Sequence, residues 1–288
     1  MVMDGPRVSL RAMKPINKDE QLYISYINTS DPYTRRQQQL KESWFFTCAC
    51  TKCTRGPVSD QDGWKIEPGA LSPKWKRIAD HILMKKKRVT EAAIDDEQRV
   101  ALLEEGAFEL YDAACSSASH DERLELIHKG MQFCEQSGLW PVYRQPYAAL
   151  RHELNIELST AGQLEEAWKH YSIRYWHIFP KLYTKKINPN RVVELIFGMQ
   201  LVMELWERRV DLGVDMRLIG ISLAQEAKMS VVLSHGEDNT FTKLVQHHYD
   251  VVRTVYDQQG HDPSMTVRRL EQERAKWQET TRKFLGAS

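Results

Sequence analysis

The chain has 288 residues, with 40 Lys and Arg against 39 Asp and Glu, a formal charge of +1. That length can bury a substantial core, in one large domain or two smaller ones. The balanced charge gives no footing for a nucleic-acid partner, no run approaches the ~18 apolar residues of a membrane span, and the opening MVMDGPRVSLR lacks the pattern of a secretory signal.

Residues 7–12 (RVSLRA) and 21–27 (QLYISYI) are short and rich in β-branched and aromatic residues. They predict two strands, neighbours in one sheet, with the polar KPINKDE turning the chain between them. Over 32–43 a short helix is expected, capped by Ser30 or Asp31 and with Pro32 in its first turn. The stretch ESWFFTCACTKCTRG at 42–56 follows, and after it a segment dense in Gly, Pro and Asp that reads as a linker.

From residue 73 the pattern becomes helical. Helices are predicted at about 73–88, 95–117, 121–136, 143–161, 163–178, 189–209, 213–234, 241–256 and 264–283, with breaks that include Gly138, Gly162, Pro180, Pro189, Gly236 and Gly260. The clearest pair meets at Gly162, where two amphipathic helices are joined by a tight turn, an antiparallel hairpin. Leu164, Ala167, Trp168, Tyr171 and Tyr175 recur at intervals of three and four, the mark of a buried stripe. The 34-residue tetratricopeptide period is not kept cleanly, so the region reads as a degenerate array of helical hairpins. Such arrays present a concave face to a peptide or another domain. Trp140, Trp168, Trp176 and Trp206 are assigned to core and groove lining.

Five cysteines make a disulfide framework improbable and favour a reducing compartment, cytoplasmic or nuclear. Cys115 and Cys134 read as small core residues. Cys48, Cys50 and Cys53 form C-x-C-x-x-C, a spacing from which three thiolates can chelate a metal from one tight turn. A closed zinc site needs four ligands. The fourth is remote, supplied by another chain, or absent. No H-E-x-x-H occurs, and the adjacent His247 and His248 fall on different helical faces. The basic run Lys85–Lys86–Lys87–Arg88 is read as a solvated helix terminus rather than a nuclear address, and the acids of 120–130 as helix-start residues.

DEQLYISYINTSDPYTRRQQQLKESWFFTCACTKC resembles the end of a SET domain and its post-SET zinc loop, in the group of protein lysine methyltransferases that also carry a MYND finger. The likeness covers roughly residues 7–54. The helical remainder, with WPVYRQPYAALRHEL and INPNRVVELIFGMQLVMEL, resembles that group's tetratricopeptide-like C-terminal domain. The fold this implies is mostly α, a helical-hairpin array preceded by a short β-containing SET remnant and a Cys-rich loop. Its domains would be 1–47 (SET remnant), 48–72 (post-SET cysteines and linker) and 73–288 (helical domain).

The resemblance makes Tyr26 the tyrosine at the methyl-transfer site, Phe46 an aromatic against the adenine of S-adenosylmethionine, and Cys48, Cys50 and Cys53 three of four zinc ligands. Trp44 stands where the family has a tyrosine lining the lysine channel, which leaves the methylation state produced in doubt. The implied substrate is a lysine-bearing protein or peptide, such as a histone. The family's cofactor loop, its N-H-S-C segment and its MYND finger have no counterpart here. The expectation is therefore a fragment or truncated product with weak or absent S-adenosylmethionine binding, an incomplete zinc site and little activity. The alternative is a non-catalytic helical scaffold that binds a protein segment.

Overall fold

Helices follow one another along most of the chain in the computed structural model, which describes residues 2–58, 71–86, 94–257 and 263–286. An antiparallel ribbon opens it, β1 (Val2–Asp4) with β2 (Arg7–Ser9), pairing Val2 with Ser9 and Asp4 with Arg7. Then come α1 (Tyr33–Trp44), a 3-10 turn at Cys53–Val58, α2 (Pro73–Lys85), α3 (Asp96–Ser116), α4 (His120–Ser137) and α5 (Tyr147–Thr160). The rest is α6 (Leu164–Ile173), a π turn at Arg174–Ile178, α7 (Phe179–Leu182), α8 (Pro189–Glu207), α9 (Met216–His235), α10 (Thr240–Asp257) and α11 (Pro263–Gly286). The fold is mostly helical, with a short two-stranded sheet remnant and a tightly packed array resembling tetratricopeptide repeats. No described helix is long and apolar enough to cross a membrane.

Helix ends follow local chemistry. At the start of α3, Asp95 accepts from the Gln98 N–H while the Gln98 side chain returns to the Asp95 N–H, a reciprocal capping box. Ser119 caps α4 and Asp215 caps α9 by the same kind of acceptance. Gly138 closes α4 at φ +70°, a left-handed backbone that glycine adopts without a Cβ penalty.

Three expectations need correction. Residues 21–27 are not a strand: Leu22, Tyr23 and Ile24 are 70%, 79% and 52% exposed, and no described strand lies beside them to satisfy their backbone. The partner of 7–9 is instead the segment just before it, through a tight turn at Gly5. Pro180 does not break the chain's helical course. The π turn ahead of it sends the Phe179 N–H to the Arg174 carbonyl, five residues back. This widening makes room where a proline ring would otherwise strike the preceding turn. Cys115 is exposed, one position around α3 from the buried Ala114, whereas Cys134 is fully buried as expected. The basic run is described only as far as Lys86, and most of the linker lies outside the described residues.

Two compact units divide within α5: Met1–Ile24 with Asn155–Ser288, and Ser25–Leu154. In the second, α3 packs on both α2 and α4. Trp75 sits edge-on to Phe133 at 5.0 Å, and its indole N–H donates to the Gln136 carbonyl at 3.0 Å. Such an anchor buries a large apolar ring while satisfying its one donor.

In the first unit, α8 packs on α6 and α9, α9 on α10, and α11 on α6 and α9. The stripe expected from sequence is all core: Leu164, Ala167, Trp168, Tyr171 and Tyr175 are each below 5% exposed. Trp277 of α11 lies against it, stacked on Trp168 at 5.0 Å and on Tyr175 at 4.6 Å, and its N–H donates to Ser172 Oγ at 2.7 Å. The charges inside are paired. Arg174 bonds Glu194 and, at 3.1 Å, Asn155 Oδ1, while the Asn155 amide donates to the Ala167 carbonyl at 2.9 Å. The amino-terminal segment is tied to this unit by Arg11, which donates to the Leu233 and Val232 carbonyls at the end of α9, and by Asp4, which accepts the Thr240 N–H at the start of α10.

Candidate functional site

All six residues singled out from sequence lie in the unit Ser25–Leu154, on or beside α1. The polar face of this helix builds the site. Arg36 is 3% exposed and donates to the Asp31 carbonyl at 2.5 Å, which ties the helix to the loop before it. Its other terminal nitrogen reaches Cys53 Sγ at 3.9 Å. Gln37, next along, grips the cysteine segment with both ends of its amide: its N–H donates to the Cys48 carbonyl at 2.9 Å, and its oxygen accepts the Cys48 N–H at 3.0 Å. Lys52 donates to the Thr29 carbonyl at 2.6 Å. These contacts hold the loop at three points.

The consequence is a triad. The sulfurs of Cys48, Cys50 and Cys53 all lie within 4.8 Å of one another. In a tetrahedral thiolate site with Zn–S of about 2.3 Å, sulfurs stand about 3.8 Å apart, so small side-chain rotations bring these three into ligating positions. Among the described residues no further His, Cys, Asp or Glu joins the group. The donor set fits a thiophilic metal held by three thiolates.

Cys50 and Cys53 differ. Cys50 is exposed, and although burial opposes its ionisation, the backbone N–H groups of Cys53 and Lys52 and the Cys48 thiol outweigh that and bring it down to about 7. Cys53 is buried; loss of water and the two neighbouring thiols push it up to about 11, against the pull of Arg36. Between Cys50 and Cys53, the readier thiolate is Cys50, the one open to solvent.

Replacing Gln37 by alanine removes both bonds to Cys48 and leaves the cysteines in place. Outer-shell partners of metal ligands are worth about 10–100-fold in affinity. A loss of that size is expected for Gln37→Ala, read by competition with a chromogenic zinc chelator. An unchanged affinity would mean that the loop holds its own shape.

The aromatic residues also converge. Helix α1 ends at Trp44, and Phe45 takes a left-handed conformation at φ +59°, which leaves its own ring 88% exposed and reverses the chain. Trp44 and Phe46 therefore flank Tyr26, with ring centroids at 4.8 and 5.8 Å and interplanar angles of 57° and 76°. Tyr26, Trp44 and Phe46 remain 46%, 49% and 39% exposed. This is a surface cluster. Methyl transfer from a sulfonium needs a site closed to water, and these three exposed rings alone do not enclose one.

Sequence spacing named the cysteines and the family resemblance named the rings, but neither reached Arg36 and Gln37. A run such as RRQQQ reads as a solvated helix face, and only the burial of Arg36 shows otherwise. Asp31 is a further buried group, 7% exposed, its carboxyl pushed up to about 6 by loss of water and the nearby Asp112, against Arg35 and Arg36.

No protein-family model matches the chain. It is 45% identical over 66 residues to SET domain and MYND-type zinc finger protein 6 of Schizosaccharomyces pombe, which covers 23% of this chain and 14% of that protein. It is 36% identical over 80 residues to N-lysine methyltransferase SMYD2 of Homo sapiens, covering 27% and 18%. A longer match, 24% over 246 residues, links 84% of this chain to 48% of N-lysine methyltransferase SMYD2-B of Danio rerio. The chain thus spans less than half the length of these relatives. Its similarity to SET- and MYND-domain lysine methyltransferases is partial and of moderate identity.

Proposed function

We propose that this chain is the post-SET and helical part of a SET/MYND-type protein lysine methyltransferase architecture, and that in it the cysteine triad holds zinc. The observation that carries the reading is the joint convergence of two sets of residues on α1. Tyr26, Trp44 and Phe46 meet in one cluster, and the three cysteine sulfurs meet two residues further along. Zinc here would be structural. Cys48, Cys50 and Cys53 would hold it, Gln37 and Arg36 would orient them, and the metal would fix the loop that carries Phe46 to the cysteines. Tyr26 would be the hydroxyl that orients a target lysine amine of a protein such as a histone, and Trp44 would line its approach.

The polypeptide by itself would lack the enclosure for transfer. What it offers alone is the helical array, a surface suited to binding a protein segment. In isothermal titration, S-adenosylmethionine is expected to give no micromolar binding to this chain, and lysine peptides to gain no methyl groups. Low-micromolar affinity would overturn the inactive reading and make Tyr26→Phe the next variant to assay. We place the boundaries of this organisation at 1–47, 48–72 and 73–288, and the protein in the cytoplasm or nucleus.

A further inference from the structure

We propose that the cysteine triad is a three-coordinate site for thiophilic ions, and that trivalent arsenic, supplied as arsenite, binds it in place of zinc. The inference deepens the reading of the triad as a metal centre and rests on it. Three observations carry it. The three sulfurs lie within 4.8 Å of one another and are held by contacts from α1, so the trigonal donor set exists before any ion arrives. Among the described residues no fourth ligand joins them, and the stretch that follows, 59–70, carries Asp60, Asp62 and Glu67 but neither cysteine nor histidine. Cys50 is exposed, which gives an incoming ion its entry point.

These features separate two kinds of metal. Zinc in a structural site completes a tetrahedron and needs a fourth donor. Here that donor would be a water, a carboxylate of 59–70 or a borrowed ligand, so zinc sits less firmly than in a four-cysteine cage. Trivalent arsenic forms three bonds in a pyramid and fills its fourth direction with its own lone pair. Soft thiolates suit it, as they suit other thiophilic ions. No donor is missing for this guest.

The step balances without an oxidant. Arsenious acid loses its three hydroxyl groups as water, each replaced by one As–S bond, and arsenic stays trivalent throughout. From the free thiols the three protons leave with the hydroxyls. From the zinc-bound thiolates, zinc departs as the dication and three protons come from solvent. The product complex is neutral.

The test uses the full chain, loaded with zinc, titrated with arsenite and followed by native mass spectrometry and by a chromogenic chelator for released zinc. The expected result is one arsenic gained and three hydrogens lost per chain, one zinc released for each arsenic bound, and an adduct that survives excess glutathione. In the unmodified sequence, alkylation followed by peptide mapping should show Cys48, Cys50 and Cys53 protected together and Cys115 still reactive. Cys48→Ser, Cys50→Ser or Cys53→Ser should each give an adduct that glutathione removes, with unchanged circular dichroism, while Cys115→Ser keeps it. If the chain holds one zinc and arsenite fails to displace it, a fourth ligand closes the site and the proposal falls while the metal centre stands. If neither zinc nor arsenite is retained, both fall.

Discussion

Gly198→Ala is expected to destabilise the helical array by about 3 kcal/mol, the upper end for a group forced into a packed core. On helix propensity alone the change would be favourable by about 1 kcal/mol. Packing reverses the sign. A Cβ at Gly198 of α8 would stand 1.9 Å from Cζ and 2.0 Å from the hydroxyl oxygen of Tyr171, far inside van der Waals contact with a ring on α6. Tyr171 has no room to yield. It is fully buried, with Trp168 at 5.9 Å, Trp277 at 6.3 Å and Phe179 at 6.1 Å around it. The loss is to be read from urea midpoints followed by circular dichroism. The same substitution in a Tyr171→Leu background should cost far less, a coupling above about 1 kcal/mol. Additivity within about 0.5 kcal/mol would show that the overlap is not the source.

The second large effect is expected at the ion pair between α8 and the π turn. Glu194→Ala should cost about 3–5 kcal/mol, because it leaves a guanidinium in the interior with its main counter-charge removed. Arg174 is 2% exposed; the Asn155 oxygen at 3.1 Å and the Phe179 ring at 5.3 Å would remain, but neither carries a full charge. The matched experiment replaces both members, Arg174→Met with Glu194→Leu. A buried pair exchanged for apolar residues of similar volume is often neutral or stabilising, so the double variant should recover most of the loss. If it is as unstable as Glu194→Ala, the pair itself supplies the stability, and its attraction outweighs its desolvation.

Helices were the legible part of this sequence. The stripe from Leu164 to Tyr175 is buried along its whole length, because a 3.6-residue period leaves little freedom over where those side chains go. Gly138 and Gly162 end helices at φ +70° and +71°, as their positions in the sequence imply. The strands were less legible for a physical reason: QLYISYI has the composition of a strand, but a strand exists only beside a partner, and none stands beside it among the described residues. Composition states what a segment suits, and pairing decides what it becomes.

The candidate site divides in the same manner. Cys48, Cys50 and Cys53 announce themselves by spacing, since one turn of chain brings them together. Tyr26, Trp44 and Phe46 were reached through the family resemblance, and they meet because Phe45 adopts an unusual backbone that no periodicity encodes. Gln37 and Arg36 act at a distance in sequence, on Cys48 and Cys53. A glutamine that bonds a backbone peptide looks in the sequence like any solvated glutamine.

Trp277 has a consequence for the order in which this protein is made. Its indole stacks on Trp168 and bonds Ser172, 105 residues earlier in the chain. Ribosomes add about 5–20 residues per second, so the aromatic face of α6 leaves the exit tunnel about 5–20 s before the helix that covers it. Over that interval a nascent chain presents Trp168, Tyr171 and Tyr175 to whatever is near. A ribosome-associated holdase, or pausing between α10 and α11, would act on this face first, and the yield of soluble protein would depend on how quickly α11 arrives.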